Sequence, residues 1–479
     1  MARAAPEPAT DNVSLPSQIL VVDPGSYSIK AGLVASSDNA ETDSLPECAV
    51  IPNCIARSRA KQTYIGSSLS QCTDFGEMQF KRPVERGYIV NWDLQRAIFE
   101  HEFLDPKAKL YCDPTDTSLL MAEPPNAPTA LQSNADQIIF EEFSFAAASR
   151  INAACLNAFT PLPAELASPS HPSPLSDPPL PTEILLLIDS GHSSTLITPL
   201  LRGQPIHSAT RRINVGGKHI SNYLAELISL RHFSLIDEPH IISQIKEDAC
   251  FISSDFPSDL DRTWRGPRSD RRVPDPSLVV DYVLPDYTTL HRGILRPHQP
   301  KSAAATTAAA GTEGEEVFTL ANERFTPPEL LFNPQDISQP ESGIPATVMQ
   351  VLSQLPAALH GPLLANVVLT GGSALLPGFV DRLQSELRAL APSRLVVRVA
   401  RAADPVGNAF RGGARIAAHR PWLENVVVTR AQYEEHGEGW VRREFARRRV
   451  VEDWGAASAA ARAAFTQDEK GDAAMTDGA

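Results

Sequence analysis

One pattern occurs near the start of each half of the 479-residue chain and restricts its fold more than any other feature. An apolar strand ends in an aspartate, turns through glycine and serine, and continues as a second strand. The first copy, ILVVDPGSYSIKAGL, begins at residue 19, and the second, EILLLIDSGHSSTLI, begins at residue 183. A single copy is compatible with a solvated hairpin. Two copies at matching places favour paired β-hairpins, one in each lobe of a two-lobed protein.

Short strands rich in Val, Ile and Leu alternate with helical stretches along the rest of the chain. The predicted strands include SLLMAE, EILLLID and NVVLT, and the predicted helices include ADQIIFEEFSFAAASRINAACLNAF and LPGFVDRLQSELRAL. In the last of these, Phe379, Leu383, Leu387 and Leu390 share one helical face. Continuous apolar strands between helices are typical of sheets covered on both faces, so the predicted fold class is α/β.

Low-complexity segments divide this pattern into two predicted lobes. The terminal tails, rich in Ala, Pro and acidic residues, have little apolar surface to bury and are expected to be disordered. The predicted segments in chain order are a tail (1–17), a first lobe (18–158) with a small subdomain at about 48–89, a Pro/Ser-rich insert (159–182), a second lobe (183–420) with a basic insert (258–272) and a low-complexity insert (295–316), a C-terminal return to the first lobe (421–454) and a second tail (455–479).

The bulk composition excludes several classes of protein. The formal net charge of −14 predicts a surface that repels nucleic acid as a whole, so any DNA contact has to be local or pass through partners. The six cysteines form no C-x-x-C pair and no zinc spacing, which predicts reduced, mostly buried thiols in a nuclear or cytosolic protein. Neither a signal peptide nor an apolar run of about 18 residues is recognisable, so no membrane contact is expected.

The two hairpins also predict a binding site. Facing hairpins of this kind hold phosphates through backbone N–H groups, and they direct two carboxylates, Asp23 and Asp189, at a hydrated cation. Mg²⁺ favours such a site because it keeps several waters and takes one or two carboxylates plus phosphate oxygens. A third element, NVVLTGGSALLPGF, places Gly371, Gly372 and Ser373 between a buried strand and a helix N terminus, where a ligand can approach bare backbone.

As a group, these motifs resemble the superfamily of actin, Hsp70 and the sugar kinases. The stretches GYIVNWDLQRAIFEHEF, INVGGKHISNYL, IKEDACFISSDF and AFRGGARIAA are similar to actin, in actin order, and the similarity spans about 19–430. IPNCIARSR, FEEFSF, DYVLPDY, LANERFTPPELLFNP and VVTRAQYEE resemble a nuclear member of the actin family. The resemblance implies an actin-like two-lobed fold, made of duplicated ribonuclease-H-like domains around a nucleotide cleft.

The resemblance also implies which residues line that cleft. ATP or ADP with Mg²⁺ is the implied cofactor, with an empty cleft as the alternative, and Asp23 and Asp189 would hold the metal through water. Without the resemblance, Lys246 and Glu247 would be interpreted as an ordinary solvated helix pair. The implied nucleotide-binding residues are Asp23, Gly25, Ser26, Lys30, Asp189, Ser190, Gly191, Lys246, Glu247, Gly371, Gly372 and Ser373.

Three positions depart from the actin pattern. Tyr27 replaces a glycine, where we expect it to crowd the terminal phosphate and to strain a turn that needs positive φ by roughly 1–2 kcal/mol. His192 replaces an acidic residue, and an imidazole suits Mg²⁺-bound water poorly. Ala153 takes the place of the glutamine that orients the attacking water, a loss worth about a hundredfold in rate or more. Slow or absent hydrolysis is expected, and no residue is assigned a catalytic role.

The function implied by the resemblance is that of a non-catalytic scaffold in a Swr-type ATP-dependent chromatin remodeller. Such a complex exchanges an ordinary histone for the Z-type variant and regulates transcription in the nucleus, and the protein is expected in the cytoplasm as well. The implied partners are a zinc-finger HIT-type subunit and the motor ATPase, with histones or nucleosomes contacted indirectly. Two alternatives stay open: an active ATPase or sugar kinase of the same superfold, and a filament-forming cytoskeletal actin.

Two basic segments are the candidates for local DNA contact. Such segments are more often solvated faces, and the second is also compatible with a nuclear-import signal. Their arginines are Arg262, Arg265, Arg268, Arg271 and Arg272 in the first segment, and Arg442, Arg443, Arg447, Arg448 and Arg449 in the second.

Overall fold

A computed structural model describes residues 15–36, 46–166, 180–263, 275–298 and 315–451. The C-terminal tail predicted at 455–479, and most of the N-terminal tail predicted at 1–17, lie outside these ranges. The same holds for 167–179 of the Pro/Ser-rich insert, 264–272 of the basic insert and 299–314 of the low-complexity insert.

The described helices and strands follow one another as two lobes and a return, joined by loops and short turns of 3₁₀ or π helix. The first lobe contains β1 (Gln18–Pro24), β2 (Ser28–Ala35), β3 (Ala49–Pro52), β4 (Ile55–Arg57), β5 (Thr63–Ile65), β6 (Gln79–Lys81), β7 (Val84–Glu85), β8 (Tyr88–Ile89), α1 (Trp92–Phe99), β9 (Thr117–Glu123), α2 (Thr129–Gln137), β10 (Ala147–Asn152) and α3 (Ala153–Asn157). The second lobe contains β11 (Ile184–Ser190), β12 (Thr195–Leu201), β13 (Gln204–Pro205), β14 (Arg211–Ile213), α4 (Gly217–Arg231), α5 (Pro239–Ala249), α6 (Phe256–Thr263), β15 (Val280–Val283), β16 (Ile294–Pro297), β17 (Val317–Leu320), α7 (Thr326–Glu329), α8 (Ile344–Ser353), α9 (Ala357–Ala365), β18 (Val367–Thr370), α10 (Phe379–Leu390) and β19 (Val399–Arg401). The return contains α11 (Asn408–Ala418), α12 (Arg420–Val426), β20 (Val428–Thr429), α13 (Arg430–His436) and α14 (Glu438–Arg447). Within the described ranges, no helix has the length and apolar character needed to cross a membrane.

The two main sheets repeat one topology. The first has the strand order β20-β10-β9-β1-β2-β3, and the second has the order β13-β12-β11-β18-β19, with β14 also paired to β12. In each sheet the antiparallel hairpin, β1–β2 or β11–β12, continues through a parallel strand, β9 or β18, and then through β10 or β19. The duplicated α/β architecture predicted from the two hairpins is therefore confirmed.

Strand β1 shows why the sequences of the hairpin strands are continuously apolar. Ile19 and Val21 face one core cluster, which includes α11, while Leu20 and Val22 face a second cluster on the other side of the sheet. All four side chains are buried. Because helices cover both faces of the sheet, successive residues are apolar instead of alternating with polar ones.

The helix predicted over the stretch ADQIIFEEFSFAAASRINAACLNAF is wrong in its middle. Helix α2 ends at Gln137, a π-helical turn follows at Ile138–Glu142, and Ala147–Asn152 form strand β10. This strand is hydrogen-bonded to β9 on one side and to β20 on the other. Alanine favours a helix by propensity, but that preference is small, and pairing inside a buried sheet overrides it.

Helix α10 agrees with its predicted apolar face over most of its length. Phe379, Leu383 and Leu387 are buried in the core of the second lobe. Leu390, predicted to share this face, is 50% exposed because it is the last residue of the helix. The face is therefore confirmed for three of its four predicted members.

Three segment boundaries differ from those drawn on composition. Helix α6 occupies the start of the predicted basic insert, and β16 occupies the start of the predicted low-complexity insert. The chain contacts the first lobe again at α11, before residue 421, because the ring of Phe410 packs against Gly32 of β2. Composition marks where polar and small residues accumulate, whereas packing decides where an element begins.

Helices α3 and α11 pack together where the chain passes between the two lobes. The side chain of Asn408 donates to Asn157 Oδ1 at 2.7 Å and to Thr160 Oγ1 at 3.0 Å, and all three residues are buried. Residues of α3 also pack in a core cluster with Leu185 and Leu187 of the second-lobe strand β11. The connection between the lobes is therefore a packed, hydrogen-bonded joint.

The cysteines are as predicted. All six are free thiols, and each is buried except Cys48, which is partly buried. Burial raises the pKa of the Cys155 thiol to about 12, so this group is held in its neutral form.

Replacing Gly412 with alanine tests the joint, because an added Cβ would overlap the backbone carbonyl oxygen of Leu156. We expect Gly412→Ala to lower the free energy of unfolding by about 3 kcal/mol or more, since the backbone of α3 has to shift. The matched control is Gly361→Ala in α9, where the nearest atom would be 3.7 Å away. That change should be neutral or stabilise by up to about 1 kcal/mol. Thermal unfolding of both variants measures the difference; equal melting temperatures would contradict the packing of α11 on α3.

Candidate functional site

The tips of the two repeated hairpins meet between the lobes. The hydroxyl of Ser193, in the turn of the β11–β12 hairpin, donates to Ser26 Oγ in the turn of the β1–β2 hairpin at 2.8 Å. Beneath the tips, the charge of Asp23 raises the pKa of Asp189, so the two carboxylates are close enough to interact. The structure thus brings together the two sets of hairpin residues that the sequence placed at one site.

The negative charge of the two carboxylates is only partly neutralised by nearby positive charge. Lys30 lies opposite Asp23 in the β1–β2 ladder, and its ammonium is 3.7 Å from that carboxylate. Burial, and then the charge of Asp23, raise the pKa of Asp189 to about 6, while Lys30 opposes this shift. An excess negative charge of this kind is neutralised by a proton or a divalent cation. Among the described residues, no third His, Cys, Asp or Glu side chain completes a metal-binding cluster.

The turn after β18 needs glycine for a structural reason. Gly371 has a φ of 89°, and a Cβ there would overlap the carbonyl of Ser190 and lie 2.7 Å from Asp189 Oδ1. Its N–H donates to Pro405 O at 2.7 Å, so this amide already has a partner. Gly372 faces open space, and Ser373 is buried. Of the three predicted residues in this turn, Gly372 is the one that presents bare backbone.

Three predicted hairpin residues are engaged within the hairpins themselves. The Ser190 hydroxyl is buried and hydrogen-bonded to Thr195 Oγ1 at 3.1 Å, so it does not reach the cleft. The Gly191 N–H closes its own turn on Ser194 O at 3.0 Å, and the Gly25 N–H donates to Asp23 O at 3.0 Å. These groups shape the tips and leave the serine hydroxyls of Ser26 and Ser193 at the centre.

Lys246 and Glu247, on α5, line the second-lobe side of the cleft. The ammonium of Lys246 donates to Ser221 Oγ at 3.0 Å and to Gly217 O at 3.4 Å, and burial lowers its pKa. Glu247 is exposed as a residue, yet partial burial of its carboxyl group raises its pKa. Lys246 is therefore bound within the second lobe, and the interpretation as a solvated helix pair does not describe it.

The small subdomain supports the first hairpin through two residues that the sequence analysis missed. Asn53 donates its side-chain amide to Gly25 O at 2.9 Å and its backbone N–H to Tyr27 O at 3.0 Å. A guanidinium N–H of Arg82 donates to the same Tyr27 oxygen at 2.9 Å. Asn53 lies within the actin-like stretch IPNCIARSR, and Arg82 shortly precedes GYIVNWDLQRAIFEHEF, so a residue-by-residue reading of these stretches was the available signal.

Comparison with known proteins decides the family. The family model described as Actin matches residues 14–446. The chain belongs to the actin family. The "Actin-like protein arp6" of Emericella nidulans is 44% identical to it over 462 residues, covering 90% of this chain and 95% of that protein. The "Actin-related protein 6" of Neurospora crassa is 44% identical over 435 residues, with the same two coverages.

A more distant relative gives the same result. The "Actin-related protein 6" of Drosophila melanogaster is 35% identical over 422 residues, covering 88% of this chain and 97% of that protein. The resemblance to the actin family and the actin-like α/β fold, both predicted from sequence motifs, are confirmed.

Tyr27 does not strain the turn of this actin-family hairpin, in contrast to the expectation from the sequence. The described non-glycine residues with positive φ do not include it, so the predicted backbone strain is wrong. The neighbouring glycine, Gly25, and the support from Asn53 and Arg82 let the turn close with Tyr27 in an ordinary conformation. Its ring centroid lies 5.1 Å from that of His192, and the guanidinium of Arg82 lies 4.5 Å from the ring.

His192 enters the cleft as a neutral imidazole. Burial, followed by the charges of Arg82 and Lys246, lowers its pKa to about 3. It supplies no negative charge at neutral pH, whereas an acidic residue at this place would face the cation. The expectation that this position suits Mg²⁺-bound water poorly stays a prediction.

Ala153, predicted to replace the water-orienting glutamine, begins α3 and packs against the first-lobe core. The neighbouring polar side chain, Asn152, accepts from the backbone N–H of Ala154 at 2.9 Å and so caps this helix. The side-chain amide oxygen of Asn152, at the end of β10, is thus used as the N-cap of the helix. Its correspondence to the glutamine of actin stays a prediction.

These distances show how well the cleft fits the expected ATP or ADP with Mg²⁺. The Asp23–Asp189 pair suits a hydrated divalent cation. The hairpin tips do not fit a phosphate, because one acceptor oxygen bonded to both hydroxyls would hold them roughly 4.5 Å apart, whereas Ser26 Oγ and Ser193 Oγ are 2.8 Å apart. Tyr27 and His192 occupy the adjoining space. As placed in the structure, the side chains at the hairpin tips therefore do not fit a terminal phosphate.

Replacing Asp189 with asparagine tests whether the excess negative charge of the carboxylate pair is neutralised by a proton or by a bound cation. The folded-state pKa of Asp189 is raised, so ionisation destabilises the folded protein as pH rises through about 6. Without bound metal, we expect Asp189→Asn to stabilise by about 1–2 kcal/mol at pH 7.5 and to have little effect at pH 4. Melting temperatures in chelator-treated buffer measure this gain, with Asp237→Asn at an exposed position as the control. A loss of stability at pH 7.5 that appears only when Mg²⁺ is added back would show instead that Asp189 holds a cation.

Proposed function

We propose that this actin-family chain is a non-catalytic scaffold subunit of a Swr-type ATP-dependent chromatin-remodelling complex. That complex would exchange an ordinary histone for the Z-type variant and so regulate transcription. The observation that carries the proposal is similarity along about nine-tenths of the chain to relatives named actin-related protein 6, at 44% identity in two fungi. The sequence motifs that point to the nuclear branch of the family support the same assignment.

The geometry of the cleft supports a scaffold over an enzyme. The hydroxyls of Ser26 and Ser193 close the space between the hairpin tips. His192 is neutral, and the amide beside Ala153 is used as a helix cap. Hydrolysis needs an oriented water, a charged metal centre and an in-line phosphate. In the described cleft the Asp23–Asp189 pair suits a cation, but the side chains of His192 and Ala153 neither add a negative charge nor orient a water.

The proposed location is the nucleus, and also the cytoplasm, and the proposed contacts run through protein partners. These partners are a zinc-finger HIT-type subunit and the motor ATPase, with histones or nucleosomes reached indirectly. The basic segment on α14 favours such indirect contact, because its own helix neutralises part of its charge. Arg442 lies 3.9 Å from Glu438, and Glu444 accepts from Arg447 at 2.8 Å and from Arg448 at 3.1 Å.

The basic insert allows a similar argument for its described part only. Arg262 is paired with Asp259 and Asp275, so its charge is also compensated locally. Arg265, Arg268, Arg271 and Arg272 lie outside the described residues, and local DNA contact through them is a proposal without structural support here.

Affinity purification tests the complex membership. We expect the tagged full-length chain, recovered from nuclei, to bring down a motor ATPase of the remodeller class, a zinc-finger HIT-type protein and a histone variant, identified by mass spectrometry. Recovery should persist after nuclease treatment, because the contacts run through proteins. A chain that recovers only copies of itself and sediments as filaments would instead support the cytoskeletal alternative.

A single-turnover hydrolysis assay tests the non-catalytic part of the proposal. The purified chain is expected to release phosphate from ATP·Mg²⁺ no faster than buffer, and Ala153→Gln alone should not restore turnover, because the phosphate still lacks space between the hairpins. Robust hydrolysis by the natural chain, abolished by Asp189→Asn, would establish the ATPase alternative. The Asp237→Asn variant is the control for a general effect of losing an acidic residue.

A further inference from the structure

The lobes are bridged at the floor of the cleft by side chains of the chain itself. The Ser193–Ser26 hydrogen bond joins the second lobe to the first at 2.8 Å. The rings of Tyr27 and His192 are tilted against each other at 5.1 Å, again one from each lobe. Both contacts lie at the hairpin tips, where a phosphate-binding version of this arrangement would hold its anion.

Tyr27 reaches further than its partner on the opposite hairpin. Burial raises the pKa of Tyr27, Arg82 opposes this shift, and smaller contributions come from Glu247 and Ser243, both on α5, so the phenol lies near the second-lobe wall. From the first lobe, the guanidinium of Arg82 covers the ring at 4.5 Å. The Tyr27 side chain, which is 37% exposed, therefore lies between the first hairpin and the helix that carries Lys246. Aromatic and cation–π contacts of this kind are attractive and favour the closed arrangement.

The mouth of the cleft is bridged as well. Phe75 of the small subdomain stacks on His240 of α5 with ring centroids 3.9 Å apart and an interplanar angle of 9°. The neighbouring Glu77 N–H donates to Glu238 Oε1 at 2.9 Å. Tyr287, also from the second lobe, lies 6.1 Å from the Phe75 ring. The lobes are thus held together by two separate sets of contacts, one at the hairpin tips and one at the mouth of the cleft.

We propose that side chains of this protein hold its own cleft closed, with Tyr27 and His192 at the floor and Phe75 and His240 at the mouth, and that the closed state excludes nucleoside triphosphates. We call these two sets of contacts the latch. In a nucleotide-pinned protein, charge-assisted hydrogen bonds to phosphate join the two hairpins. Here a direct serine–serine bond and an aromatic pair join them. The latch is a property of the isolated chain and does not depend on membership of the proposed complex.

In the closed cleft, the carboxylates of Asp23 and Asp189 repel each other across the two lobes. With the phosphate space filled, Asp23 and Asp189 have Lys30 as their nearby cation and share its charge. Their mutual repulsion favours separation of the lobes, and the bridges at floor and mouth oppose it. The closed cleft is therefore a balance that loss of one bridge should shift toward opening.

Nucleotide titration of the purified full-length chain tests the exclusion. We expect ATP·Mg²⁺ to bind the natural chain with a dissociation constant above roughly 1 mM, measured by calorimetry, and Tyr27→Gly to bind at least about tenfold more tightly. Tyr27→Phe keeps the ring and should behave like the natural chain. Tyr111→Gly, at a tyrosine that is 44% exposed and lies in the loop before β9, is the matched control and should not gain affinity.

The nucleotide content of the natural chain provides an independent readout if Tyr27→Gly does not fold. Acid extraction and chromatography of the freshly purified protein should yield well below one equivalent of ATP or ADP. One equivalent of bound nucleotide in the natural chain would overturn the proposal, and so would unchanged affinity in a folded Tyr27→Gly variant. Neither result would affect recovery of the partner proteins, so the latch and the proposed complex can fail separately.

Hydrogen exchange tests the two bridges directly. We expect Phe75→Ala to increase amide exchange in the hairpin turns and at the start of α5, because removing the mouth bridge shifts the balance toward opening. Tyr27→Gly should increase exchange in the same segments, and the Tyr111→Ala control, at a half-exposed tyrosine in the loop before β9, should not. Unchanged exchange in Phe75→Ala would remove the mouth from the latch.

Discussion

The contact between the two hairpin tips is the interaction on which the arrangement of the lobes depends. It brings two carboxylates, Asp23 and Asp189, next to one lysine, and such a cluster is unfavourable unless other contacts enforce it. The packing of α3 against strand β11 and the aromatic pair at the mouth supply that enforcement. Side-chain contacts between the lobes therefore hold the charged centre together.

The cleft keeps some features of a phosphate site for reasons that need no ligand. Gly371 is required because the end of β18 passes against the backbone of Ser190, where any Cβ would overlap it. The Asp23–Lys30 pair also completes a cross-strand ion pair within one hairpin. Residues that match a family's binding motif can thus serve packing as well, while the rings of Tyr27 and His192 meet between the two hairpins.

The sequence predicted much of the fold because its signal is local. Apolar runs ending in Asp23 and Asp189 marked the hairpins, and helix α10 showed its apolar face at helical spacing. Strand β10 was missed because Ala and Ser side chains carry little pattern, and its conformation depends on pairing with β9 and β20, which are distant in the chain. Arg82 was missed for a similar reason, since its contact with Tyr27 joins the small subdomain to the first hairpin.

The sequence by itself determined that two copies of one α/β unit face each other and that the chain belongs with the actins, and it predicted three departures from the nucleotide-binding pattern. The first conclusion rests on periodicity, and the others rest on the resemblance of short motifs to actin, which a linear chain displays directly. Only the tertiary structure decided what the departures do: the turn tolerates Tyr27 without positive φ, and the serine hydroxyls of the two lobes meet. The width of a cleft is set by the packing of side chains from both lobes, and no local pattern contains that distance.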